Sequence, residues 1–157
     1  MSETDAHLSI VAEFDNLAEV TAFVCQRARE LTAPELLWPK IELVVEELFL
    51  NIVNHSGLPP EAVVDISCSR QRVGDAPDDM FCISLRDHGQ PFNPLKKEGP
   101  ALEQDVDSRP IGGLGIYLVI QMADHCSYAR KDDSNLFSAC FRMQQSEGGV
   151  KENTSPD

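Results

Sequence analysis

A chain of 157 residues with 42% hydrophobic residues, 13 Lys+Arg and 26 Asp+Glu, and hence a formal charge of −13, has the length of one ordinary domain and leaves no room for two. The acid excess argues against nucleic acid as a partner, because binding a polyanion rests on cations at the phosphates and no basic cluster exceeds Lys96-Lys97. It argues equally against an anionic membrane surface and leaves a basic protein partner open. A core of this size needs neither disulfide nor structural metal, which sets aside the stapled mini-protein classes. The five cysteines (Cys25, Cys68, Cys82, Cys126, Cys140) are odd in number and form no Cys-x-x-Cys. They read as buried thiols of a reducing compartment, so the chain is expected in the cytoplasm. The acidic start, Met1-Ser2-Glu3-Thr4-Asp5, runs into no long apolar segment, so neither a signal peptide nor a membrane span is expected.

From His7 to Phe14 apolar residues alternate (Leu8, Ile10, Ala12, Phe14), which predicts a half-buried strand. Asp15 or Asn16 then caps a helix over residues 16 to 31, where Leu17, Val20, Phe23, Val24 and Leu31 recur at helical spacing. After Thr32-Ala33-Pro34 a longer helix runs through Ile41 to about His55, with Pro34 and Pro39 tolerable only near its beginning. Ala62, Val64, Ile66 and Cys68 alternate, as do Phe81, Ile83 and Leu85, and the polar turn Gly74-Asp75-Ala76-Pro77-Asp78-Asp79 between them predicts a hairpin. Residues 87 to 113, rich in glycine and proline, form the kind of long irregular segment that a compact domain keeps for function, and read as a closing lid. A short helix from Leu114 to about Asp124 follows. Two strands near Ser127–Lys131 and Leu136–Met143 come next, joined by Asp132-Asp133-Ser134-Asn135. Residues 145 to 157 read as a disordered tail, the domain proper being 1 to 144. Paired strands without one-for-one helices predict an α+β two-layer sandwich, a mixed, mostly antiparallel sheet with helices on one face.

Three features carry chemistry. In the second helix Glu47, Asn51 and His55 lie at i, i+4 and i+8 on an otherwise apolar element, making one narrow polar stripe that drifts about 40° per step. A carboxylate, an amide oxygen and an imidazole so placed suit a hard cation and a proton transfer, although a water-facing edge looks the same. At the end of a strand, Arg86-Asp87-His88-Gly89-Gln90-Pro91-Phe92 presents a carboxylate ahead of a glycine, which is also the pattern of a plain turn. In Pro110-Ile111-Gly112-Gly113-Leu114-Gly115-Ile116-Tyr117-Leu118 glycines open a helix, so that free N–H groups there form an anion nest; a glycine turn before a packing helix is the alternative. The run is neither a Walker A loop nor a Rossmann fingerprint.

In this order Glu-x-x-x-Asn-x-x-x-His, Asp-x-Gly, a variable segment and Gly-x-Gly at a helix start resemble the GHKL, or histidine-kinase-like, ATPase superfamily. The compactness, the Asp-x-Gly-x-Pro-Phe-Asn-Pro variant and Gly-Gly-Leu-Gly-Ile-Tyr-Leu-Val resemble the anti-sigma-factor serine kinases of the RsbW/SpoIIAB type. The resemblance covers about residues 7 to 143 and implies the Bergerat fold and Mg-ATP as cofactor. By resemblance Glu47 is the general base, Asn51 binds magnesium, His55 lies near the phosphates, and Asp87 reads the adenine amino group with Gly89 giving the base room. The phosphates fall to the backbone of Gly113, Leu114 and Gly115, under a lid over residues 95 to 111 in which Arg109 is a candidate cation for the γ-phosphate. The resemblance further implies a homodimer, a STAS-type anti-anti-sigma protein as serine substrate, and a sequestered sigma factor. Pro91 replaces the second glycine of a full Asp-x-Gly-x-Gly box and stiffens the start of the lid, and the Gly-Thr that often precedes the last strand is not evident, Ser138 being the candidate substitute beside adenine. These departures leave a second reading, a nucleotide-responsive binding module without kinase activity.

Overall fold

The computed structural model describes residues 6–55, 57–72, 74–75, 78–96 and 113–144. Strand β1 (His7–Val11) leads into helix α1 (Leu17–Glu30), then helix α2 (Trp38–His55), the hairpin of β2 (Val63–Gln71) and β3 (Met80–Asp87), helix α3 (Gly113–Met122), and the hairpin of β4 (His125–Lys131) and β5 (Ser134–Arg142). The strands make one sheet in the order β1-β2-β3-β5-β4, and every neighbouring pair is antiparallel, so the expected mixed sheet is purely antiparallel. Otherwise the α+β arrangement of sheet and helices is as expected.

The period-2 pattern fixes which face meets the helices. Ile10, Val64, Ile66, Phe81, Ile83, Leu85, Phe137, Ala139 and Phe141 are buried together with Val20 and Val24 of α1, Ile41, Val44, Val45, Leu48 and Phe49 of α2, and Val119 of α3. The alternate residues look outward, and the register sets Ser67 beside Ser84, Ser84 beside Ser138 and Ser138 beside Ser127. Phe14 departs from expectation: β1 ends at Val11, and Phe14, in a 3₁₀ turn, is 65% exposed. Asn16 occupies the N-cap position of α1, yet its amide donates to Val11 O at 2.9 Å, fastening the helix start to the strand end.

α1 stops in a Schellman arrangement, Ala33 N–H to Ala28 O at 2.8 Å and Thr32 N–H to Arg29 O at 3.0 Å, with Thr32 at φ +63° where glycine is usual. Arg70 of β2 bonds the Thr32 hydroxyl at 2.7 Å, which gives this β-branched residue a reason to hold a left-handed conformation. The β4–β5 connection is a two-residue turn with Asp132 and Asp133 at φ +51° and +59°, as a type I′ hairpin requires. The expected thiol state changes for two cysteines. Cys82 and Cys140 face each other in register across β3 and β5, their Cα atoms 4.1 Å apart, and are joined as a disulfide on the outer face beside Met80. Cys25, Cys68 and Cys126 are free, so the cysteine argument for a reducing cytoplasm loses part of its basis. Among the described residues no helix is long and apolar enough to cross a membrane.

Candidate functional site

α2 is the element that positions the site. Its apolar faces are buried between sheet and neighbours, whereas Glu47, Asn51 and His55 stay half-buried along one edge, as their i, i+4, i+8 spacing requires. Asn51 lines a cavity of about 30 Å³ whose other walls include Asp87 at the end of β3, Asn135 at the start of β5, and Phe92 and Pro94 from the segment beyond β3. His55 stacks on Phe92 with ring centroids 6.0 Å apart and planes 19° from parallel. α3 meets the same edge one turn earlier: a β-carbon added at Gly115 would overlap Glu47 Oε2 and stand 3.1 Å from Cδ. Only glycine allows this approach, so the first turn of α3, which Gly113 and Leu114 open, lies against the Glu47 carboxylate.

Asp87 is 5% exposed and its Oδ1 accepts two hydrogen bonds, from Gly89 N–H at 2.9 Å and from Asn135 Nδ2 at 3.1 Å. Among the described residues no donor reaches Oδ2, which leaves that oxygen for a ligand. Gly89 is itself held through its carbonyl, which accepts from Arg130 Nη1 at 2.8 Å. The acids of α2 crowd one another. Burial, then the neighbouring charges of Glu42 and Glu47, push the Glu46 carboxyl above its ordinary value.

The structure therefore brings Glu47, Asn51, His55, Asp87, Gly89 and Gly115 to one edge of the sandwich. It does not bring Ser138 there. Alternation along β5 turns Asn135 and Phe137 toward the helices and Leu136 and Ser138 away, and the Ser138 hydroxyl pairs with Ser84 at 2.8 Å on the outer face. That face carries a larger, open concavity of about 700 Å³ bordered by Asp65, Ser67, Ser69, Ser84 and Arg86, on the far side of the sheet from Asp87 and Asn51. Arg109 and residues 97 to 111 of the expected lid lie outside the described residues, as does the expected tail. Asn135 is the site residue that sequence reading missed. Its signal was the Asp132-Asp133 pair: a two-residue turn there starts β5 at Ser134, two positions before the strand expected from Leu136, and sets Asn135 opposite Asp87.

The histidine kinase-like ATPase domain family matches residues 10–141. Among solved structures, the RsbU and RsbW domains of Rv1364c from Mycobacterium tuberculosis superpose with a TM-score of 0.58 at 14% identity over 89% of this chain, which is a likeness of fold. The chain spans about a third (33%) of that structure's own length. The Acinetobacter baumannii histidine kinase AdeS is 16% identical over 88% of this chain and 68% of its own, with a TM-score of 0.42. No curated protein sequence matches the chain. With the family match running from β1 to β5 through most of the described residues, the chain belongs to the histidine kinase-like ATPase domain family.

Proposed function

We propose that the chain binds Mg-ATP and transfers the γ-phosphoryl group to a serine of a STAS-type anti-anti-sigma protein, and that in its other complex it sequesters a sigma factor. The observation that carries the nucleotide part is the convergence of Glu47, Asn51, Asp87 and Gly115, from three separate segments, on one edge of the sheet. The serine-kinase part rests on the sequence resemblance and on a carboxylate at the phosphate end of the cleft.

The residues fit the cofactor chemically. Asn51 offers a hard oxygen donor one turn from Glu47. A magnesium site of one or two side chains completed by phosphates has that composition. Magnesium, when bound, neutralises phosphate charge. Asp87 Oδ2 accepts the amino group of adenine. The free N–H groups of Gly113, Leu114 and Gly115 hold phosphate oxygens, with His55 at the far end of the α2 stripe. Glu47 aligns the acceptor hydroxyl and takes its proton as the serine oxygen attacks the γ-phosphorus and the bond from that phosphorus to the bridging β-phosphate oxygen breaks, ADP leaving. A cavity of about 30 Å³ holds a water or two but not a purine, so the base is admitted only as Phe92 and Pro94 give way.

The test is incubation with Mg-ATP and STAS proteins encoded near this chain, read by mass spectrometry. Phosphoserine is the expected product, and Glu47→Ala should lower its rate by roughly 10²- to 10⁴-fold, the range of a lost general base, while nucleotide affinity changes little. Full transfer by Glu47→Ala would remove Glu47 as the base. Nucleotide binding with no phosphate on any such partner would leave a nucleotide-responsive binding module.

A further inference from the structure

Asn135 uses its whole hydrogen-bonding capacity at the edge of the cavity. Its Nδ2 donates to Asp87 Oδ1 at 3.1 Å and to Gln90 O at 2.8 Å, and its Oδ1 accepts from Phe92 N–H at 3.2 Å and from the Tyr128 hydroxyl at 2.5 Å. A primary amide has two donors and two acceptor lone pairs, so nothing is left over. The network also fixes the orientation of the amide. Turned over, it would set an oxygen against Asp87 and Gln90 O, and an NH₂ against two donors. Asn135 is 5% exposed, and its contact with Asp87 is buried while the other three are partly so.

We infer that Asn135 is a positioning residue that makes Asp87 selective for the base, an inference that rests on the adenine-nucleotide reading above. With Gly89 N–H and Asn135 Nδ2 both on Oδ1, the carboxylate plane is fixed and a single acceptor, Oδ2, faces the cavity. An acceptor so aimed favours a base carrying an amino group at that position and repels one carrying a carbonyl oxygen there. The same amide, through Gln90 O and Phe92 N–H, sets the distance between this acceptor and the Phe92–Pro94 segment that roofs the cavity. Discrimination between the two bases then depends on a side chain whose own donors and acceptors are all taken within the protein.

The test compares the affinities of ATP and of inosine triphosphate, whose bases differ in the amino group against a carbonyl oxygen and in the proton the latter carries on the adjacent ring nitrogen, by calorimetry on the full chain. The variants are Asn135→Asp and Tyr128→Phe. Asn135→Asp keeps the shape and sets an acceptor against Asp87 Oδ1, while Arg130, its register partner on β4, offers the new carboxylate a counter-ion that favours folding. The wild-type chain should prefer ATP by about tenfold or more, the worth of a charge-assisted hydrogen bond. In Asn135→Asp the preference should fall to within about twofold, with ATP weakened and inosine triphosphate nearly unchanged. Tyr128→Phe, which loosens the amide from one side only, should lower the preference by a smaller factor, and it decides the matter if thermal melting finds Asn135→Asp unfolded. A merely structural role would weaken both nucleotides in parallel or leave the preference of Tyr128→Phe untouched, and either result overturns the inference. A wild-type chain that binds neither nucleotide overturns the nucleotide reading and this inference with it.

Discussion

The contact between Gly115 and Glu47 decides what a single methyl group would do. Gly115 sits in α3 with no left-handed φ, so alanine suits its backbone and, as the better helix former, favours the helix by up to about 1 kcal/mol. Its β-carbon, however, claims the space of Oε2, the free end of a side chain that can swing aside. Gly115→Ala should therefore fold with near wild-type stability and bind nucleotide, yet lose transfer about 10²-fold, because a carboxylate displaced by about 1 Å no longer meets the acceptor proton. Thermal melting, calorimetry and phosphoserine yield separate these effects, and unchanged transfer would contradict the placement of Glu47. The stripe containing Glu47 was legible because helical period alone puts Glu47, Asn51 and His55 on one edge, whatever the rest of the fold. Ser138 was misplaced because it was read as a stand-in for a threonine: on a strand the period of two decides the face, and Ser138, three positions from Asn135, lies on the opposite one.

At the scale of the element, α2 trades stability for function. Its acids Glu42, Glu46 and Glu47 share one stretch of helix, and Glu46 bears the cost as a raised carboxyl pKa, from burial first and then from its neighbours' charges. A carboxyl raised in the folded state stabilises the fold only while protonated, so its contribution is present below the unfolded value and is lost as pH rises through the folded one. Glu46→Gln should then stabilise the chain at pH 7, by no more than about 0.5 kcal/mol since the group is only partly buried and its neighbours' charges are screened by solvent. The gain should vanish below about pH 4, where both forms are neutral. Urea midpoints at the two pH values check it; an equal gain at both would assign the effect to helix packing. The two hairpins and the helices were legible in outline because alternation and helical spacing are local signals. The partner of β3 was not, since β5, the neighbour of Asp87, is separated from it by α3 and β4, and sheet order is set by packing across the whole chain.

At the scale of the molecule, the sheet has one face under helices and one open, and the disulfide lies on the open face between the central strand β3 and its neighbour β5. An even number of cysteines is the sequence sign of a disulfide framework, and this chain has five; only the register of β3 against β5 sets Cys82 opposite Cys140. The other thiols differ in kind: burial pushes Cys68 up to about 12 and Cys126 up to about 11, so both resist alkylation in the folded chain. Alkylation in guanidinium should then block three cysteines before reduction and five after it, counted by mass spectrometry. The bridge spans a sequence separation of 58, and the loss of loop entropy from the unfolded chain corresponds to roughly 4 kcal/mol. A domain of ordinary stability survives its loss but melts lower, by about 10 °C at this chain length. Dithiothreitol should produce that shift in the wild-type chain and none in Cys82→Ala, which melts low under both conditions. Five blocked cysteines without reductant, or a wild-type melting point indifferent to dithiothreitol, would return Cys82 and Cys140 to the pair of buried thiols that their sequence context suggests.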